Sequence, residues 1–96
     1  MFTFVANAGS SNVSVYAIDQ ITGGLTQVAG SPFSSGTQPQ RVKIDPAGKF
    51  VFVPNAGSDN ISVYQLNAGT GFLTPVAGSP FATGPGPQFV TTAGTF

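Results

Sequence analysis

Cysteine, histidine, tryptophan and glutamate are all missing from this 96-residue chain. Without cysteine there is no disulfide framework, and the redox compartment is left unread. Without His or Cys, zinc and haem lose their usual ligands, so no metal site and no cofactor is expected. The same absences exclude Ser-His-Asp and Cys-His nucleophile systems. Charge is scarce as well: 6% of residues are charged and the formal net charge is +0. Three Lys+Arg are too few to neutralise a run of phosphates, so no nucleic-acid partner is expected. No stretch approaches the ~18 consecutive apolar residues of a membrane helix. Residues 1–10 lack the basic start and apolar run of a signal peptide. Membrane insertion is therefore not expected, and the compartment stays open. The chain starts directly in the apolar alternation "FTFVANAG", which reads as a fragment, an excised module or a designed unit.

What the chain does have is apolar residues (41%), 13 Gly and 8 Pro, a composition suited to many short strands joined by tight turns. It also has a repeat. "VAGSPF" stands at 28–33 and again at 76–81. Shifting the sequence by 48 superposes Asn7-Ala8-Gly9-Ser10 on Asn55-Ala56-Gly57-Ser58, and Ser14-Val15-Tyr16 on Ser62-Val63-Tyr64. Roughly 25 of 41 aligned positions are identical, with a period in the range of solenoids and propellers. The copies span 2–49 and 50–96, read together as a single two-blade module over 1–96. The second copy shortens near its end, where "RVKIDPAGKF" is answered by "FVTTAGTF".

Each copy reads as strands and turns. "FVFVPN" and "NISVYQL" are rich in β-branched and aromatic residues bounded by Gly, Ser and Asn. "NAGSDN" between them reads as a hairpin loop. "NAGTGF" reads as another, with Gly71 the expected site of positive φ. "LTPVAGSPF" reads as one third strand ended by Pro80, and Pro75 within it marks an edge, because proline cannot donate to a ladder. "PQRVKIDPAGK" reads as a fourth strand and its turn, with Asp45-Pro46-Ala47-Gly48 the turn signal. No capped helical pattern is present. Phe50-Val51-Phe52-Val53 is apolar on both faces, as a sheet covered on both sides requires. The fold class is therefore all-β: propeller blades of four antiparallel strands, about two per chain. Two blades leave two faces bare, so self-association into a trimer or tetramer is expected, or cover by the remaining blades of a parent protein.

"FVFVPNAGSDNISVYQLNAGTGFLTPVAGSPF" and "GTQPQRVKIDPAGKFVFVPN" resemble the repeats of the seven-bladed β-propeller lactonase family, which includes propeller-type 6-phosphogluconolactonases. The resemblance covers essentially the whole chain. It implies that 39–45 is an innermost, channel-lining strand, with 50–54, 61–66 and 73–77 running outward. It further implies three strands of one blade, one full blade, and the inner strand of a third near 88–92.

The resemblance also implies where catalytic groups would stand. The family's His position falls on Arg41 and Phe89, and its Glu position on Ala8 and Ala56. Lactone hydrolysis needs a base or an oxyanion stabiliser. Only Arg41 can serve, by holding an anion, and a solvated strand-end arginine is the simpler role. No catalytic residue is assigned. The candidate ligand-binding residues are Gln40, Arg41 and Gln88, at the channel end of the inner strands. Ser58, Asp59 and Asn60 miss calcium-loop spacing and read as an Asx turn. Asn12-Val13-Ser14 and Asn60-Ile61-Ser62 fit the glycosylation pattern but read as hairpin residues. Tyr16 and Tyr64 read as interblade packing. The expected function is a non-catalytic propeller scaffold, with a fragment of a propeller-type lactonase as the alternative.

Overall fold

A computed structural model of the chain describes residues 1–45 and 47–86, all of them in strands, turns or loops, with no helix among them. The expected strand at 88–92, the residues Gln88 and Phe89, and Pro46 of the turn lie outside the described residues.

Each copy folds from a long hairpin. In the first, β1 (Phe2–Asn7) and β2 (Asn12–Ile18) pair antiparallel, from Phe2↔Ala17 to Asn7↔Asn12. In the second, β6 (Phe50–Asn55) and β7 (Asn60–Leu66) repeat that register, from Phe50↔Gln65 to Asn55↔Asn60. The loops close at Ser11 (φ 57) and Asp59 (φ 55), a left-handed conformation that Asp tolerates better than most residues. The short strands β3 (Leu25–Gln27) and β8 (Leu73–Pro75) extend each sheet on the side of β2 and β7. Gly71 turns the chain into β8 with φ +78, as expected from the sequence. Pro75 does lie on an edge strand.

The repeated "VAGSPF" is not the continuous strand expected of it. After β3 and β8 the chain leaves the ladder and turns at Gly30 (φ +88) and Gly78 (φ +87). It passes a cis Ser-Pro bond in each copy and returns as β4 (Phe33–Ser34) and β9 (Phe81–Ala82) to pair again with β2 and β7. The serine fills the gap. Its Oγ accepts the Val15 N–H in the first copy and the Val63 N–H in the second, each at 2.8 Å. That hydroxyl satisfies a donor that would otherwise interrupt the ladder. The hexapeptide recurs because both copies need the same plug, and the outer strand is thereby two short strands.

The inner strand is also shorter than expected. In place of 39–45 it is β5 (Lys43–Ile44), paired with β6 through Lys43↔Phe52 and Ile44↔Val51, plus a single bridge from Pro39 to Asn55. Proline has no N–H to donate, and Gln38 before it is left-handed at φ 56. Among the described residues, β1 pairs only with β2.

The two sheets stack face to face. Cross-strand partners share a face. Val51, Val53, Ser62, Tyr64 and Leu73 therefore lie on one side of the second sheet, and all are buried. They pack on the side of the first sheet that carries Val13 and Val15, with Val28 and the partly buried Phe2, Phe4 and Phe33 around them. Phe33 meets Phe72 edge to face at 5.2 Å and 90°. The Tyr64 hydroxyl donates to the Ser34 carbonyl of the first sheet.

Candidate functional site at the inner strand

The inner strand carries one residue too many. From Pro39 to Lys43 are four steps, but from their partners Asn55 to Phe52 only three. The ladder lapses over Gln40, Arg41 and Val42, which is the arrangement of a β-bulge. Bulges re-aim side chains and are common beside functional sites. Gln40 and Arg41 are exposed there, and Val42 is half-buried. The sequence signal for this was available in the Pro39 position, but the extra residue shows only once the register of both strands is known.

The segment leading into the bulge wraps the hairpin loop of the second sheet. The Ala56 N–H donates to the Gln38 carbonyl at 3.1 Å, and the Gly57 N–H to the Thr37 carbonyl at 2.9 Å. The Thr37 N–H donates to Ser58 Oγ. Ala56, which the family resemblance aligns with a catalytic acid, is thus tied to the segment that precedes Arg41. It carries a methyl group where an acid–base group would be needed.

Beneath the loop a side-chain network holds the hairpin. Asn55, fully buried, donates from Nδ2 to Asn60 Oδ1 and to Ser62 Oγ, both at 2.9 Å. Asn7 makes the same pair of bonds to Asn12 and Ser14 at 2.8 Å. A Cβ on Gly36 would come within 2.7 Å of the Asn55 side chain, so glycine is what lets the chain cross here. Asn55 Oδ1 and Asp45 Oδ2 are buried acceptors without a hydrogen-bond partner.

The turn after β5 is organised by Asp45. Its Oδ1 accepts the Lys49 N–H at 2.7 Å and the Phe50 N–H at 2.9 Å, and its backbone closes the turn through Gly48 and Phe50. The Phe50 N–H, with the Lys49 N–H behind it, holds the carboxyl below its ordinary 3.8 against the opposing effect of burial. Asp19 is lowered in the same way by the Ile21 and Thr22 N–H groups. A depressed folded value means that the unfolded chain takes up its proton first. The stabilisation is complete above pH 3.8 and is lost as pH falls through the folded value. Urea unfolding followed below pH 3.8 should therefore show a declining midpoint, and Asp45→Asn should flatten that decline. An acid limb unchanged in Asp45→Asn would exclude this role.

The remaining sequence candidates serve the framework. Asp59 Oδ1 accepts the Gly86 N–H at 2.8 Å, and its carbonyl accepts the Thr83 N–H at 3.0 Å. Among the described residues no three His, Cys, Asp or Glu side chains gather at a point. Asn60 and Ser62 are engaged by Asn55, as the hairpin reading of that tripeptide requires. Tyr64 is an interblade residue. Tyr16 occupies the same position on the first sheet, and its face has no partner sheet among the described residues.

Known proteins place this geometry. The profile of the Lactonase family, described as a 7-bladed beta-propeller, matches residues 1–92. No curated protein matches the chain. Among solved structures, the periplasmic gluconolactonase PpgL of Pseudomonas aeruginosa superposes with a TM-score of 0.81 at 25% identity, covering 92% of this chain and 24% of that one. A protein from Lactobacillus plantarum superposes with a TM-score of 0.79 at 29% identity, covering 88% of this chain and 24% of that one. The chain thus spans about a quarter of the length of these structures. With its paired antiparallel sheets stacked as successive blades, it belongs to the seven-bladed β-propeller Lactonase family.

Proposed function

We propose that the chain is a wall unit of a propeller: two consecutive blades that supply framework, without catalysis of their own. The observation that carries this reading is the stacking of the two sheets, which commits a whole face of each to the contact between them. The polar groups next to the inner strand fit the same role. Asn55, Asn60, Ser62 and Asp45 are bound to one another or to the backbone. Any small-molecule contact falls at the inner-strand bulge, through Gln40 and Arg41. Arg41 suits an anionic oxygen.

A second reading is favoured by family membership and by the likeness to a gluconolactonase: the chain as part of a sugar-lactone hydrolase whose acid–base groups stand on other blades. Neither reading gives the chain alone a full acid–base set; the two separate when blades that carry such groups are joined to it, which should produce sugar-lactone hydrolysis only under the second. The chain alone should hydrolyse 6-phosphogluconolactone no faster than buffer. A rate that titrates with protein and disappears in Arg41→Ala would overturn the scaffold reading and place the chemistry at the bulge.

A further inference from the structure

Gln40 and Arg41 stand in a stretch that the ladder does not hold, between the Pro39 bridge to Asn55 and the pairing of Lys43 with Phe52. Their direction is therefore set by how the stretch is anchored at its two ends. Downstream the anchor is the strand itself: Lys43 and Ile44 pair with β6, and the Asp45 N–H donates to the Phe50 carbonyl at 3.0 Å. Upstream the anchor is the hairpin loop that follows β6. Its residues 56–58 grip Thr37 and Gln38 through three hydrogen bonds, two accepted by the Thr37 and Gln38 carbonyls and one donated by the Thr37 N–H to Ser58 Oγ. The grip ends on Gln38 in its left-handed conformation (φ 56) and on Pro39, which is fully buried. A left-handed residue other than glycine persists where its surroundings hold it, and such residues gather at ligand clamps.

The loop fits this close approach. A Cβ on Gly57 would stand 2.8 Å from Thr37 Cγ2 and 3.1 Å from the Thr37 carbonyl oxygen, the same atom that accepts the Gly57 N–H. Gly57 has no positive φ, so its own backbone does not call for glycine; the contact with Thr37 does. The first copy repeats the loop as Ala8-Gly9-Ser10, and there a Cβ on Gly9 would meet nothing within 4 Å. Among the described residues, the same tripeptide closes on a neighbour only where an inner strand lies beside it. We infer that Gly57 and Ser58 are positioning residues: the hairpin loop aims Gln40 and Arg41 through Thr37 and Gln38, and so fixes where the bulge meets an anionic oxygen. The inference rests on the reading that puts small-molecule contact at Gln40 and Arg41.

Residual dipolar couplings of the backbone N–H groups read those directions without a ligand. In Gly57→Ala the couplings of Gln40, Arg41 and Val42 should depart from their wild-type values while those of β6 and β7 keep theirs. Gly9→Ala, the same change in the other copy, should leave all of them in place. If Gly57→Ala does not fold, Ser58→Ala removes the Thr37 bond alone and should move the same three couplings, and Ser58→Thr, which keeps the hydroxyl, should return them. Inorganic phosphate is the probe for binding. The phosphate concentration that half-saturates the shift of the Arg41 Nε–H signal should rise about fivefold in Gly57→Ala, the equivalent of one hydrogen bond, and stay unchanged in Gly9→Ala. Couplings at 40–42 that are the same in wild type, Gly57→Ala and Ser58→Ala would overturn the inference, as would a change of the same size in Gly9→Ala. Equal phosphate affinity in wild type and Gly57→Ala would overturn it too. A wild-type chain in which phosphate moves no signal at Gln40 or Arg41 would sink the small-molecule reading, and the couplings would still decide the positioning.

Discussion

Tyr64→Ala should lower the folding free energy by roughly 3–5 kcal/mol, the range for removing a large buried ring. Tyr64 is 2% exposed, its ring lies between the two sheets, and its hydroxyl reaches across to the Ser34 carbonyl. The truncation opens a cavity in the contact and removes the bond at once. For a domain with about 5–15 kcal/mol in total, that is a large share of the stability. Tyr64→Phe keeps the ring and should cost only about 1 kcal/mol, the net worth of one hydrogen bond. The phenol gives a second readout. Burial pushes its pKa above the ordinary 10.0, against a smaller opposing effect of Ser62. The unfolded chain therefore ionises first as pH rises. The stability tied to this group is complete below pH 10.0 and is lost as pH climbs through the folded value. Tyr64→Phe should remove that alkaline decline. Urea midpoints at fixed protein concentration, measured at neutral and alkaline pH, test both effects. A loss below about 1 kcal/mol in Tyr64→Ala would mean that the two sheets do not stack as described.

The second large effect is expected at Gly71. Its φ of +78 costs an L-residue roughly 1–2 kcal/mol. A Cβ there would also stand 2.8 Å from the ring of Phe2 and 3.1 Å from Val28, both of the first copy. Forcing a methyl into a packed contact adds roughly 1–3 kcal/mol. Gly48 has a similar φ of +72 but open space at its Cβ. Gly71→Ala should therefore destabilise the chain clearly more than Gly48→Ala, and the difference measures the closeness of the blades. Equal losses in the two variants would show that only local strain is felt, and would remove Gly71 from the interblade contact.

These two positions also show how far local reading reaches. The positive φ at Gly71 was legible, because a turn between two strands needs a residue without Cβ and the "NAGTGF" loop offers one. The approach of Phe2 to that same glycine was not legible, since 69 positions separate them and only the stacking of the sheets brings them together. Tyr64 was readable as a packing residue from its place in an apolar alternation. Its acceptor, a backbone carbonyl on another blade, leaves no mark in the sequence, because every residue has one. The candidate site divides in the same way. Gln40 and Arg41 stood out by type and by the repeated Pro-Gln. The bulge that exposes them depends on two pairings, Pro39 with Asn55 and Lys43 with Phe52, and is a property of both strands at once.

By itself the sequence determined the repeat, the long hairpins, the turns at Asp45 and Gly71, and the all-β class. These follow from side-chain branching, from the missing Cβ of glycine and from the missing N–H of proline, which act within a few residues. The tertiary structure decided where the ladders break and which faces are covered. The outer strand splits at "VAGSPF" because a serine hydroxyl is in reach of a valine N–H sixteen residues away. Val5 and Val53 are the same residue at the same place in the same repeat, yet one is 42% exposed and the other 0%. Nothing local distinguishes them. Burial belongs to a pair of surfaces, and among the described residues only the second valine has another blade against it.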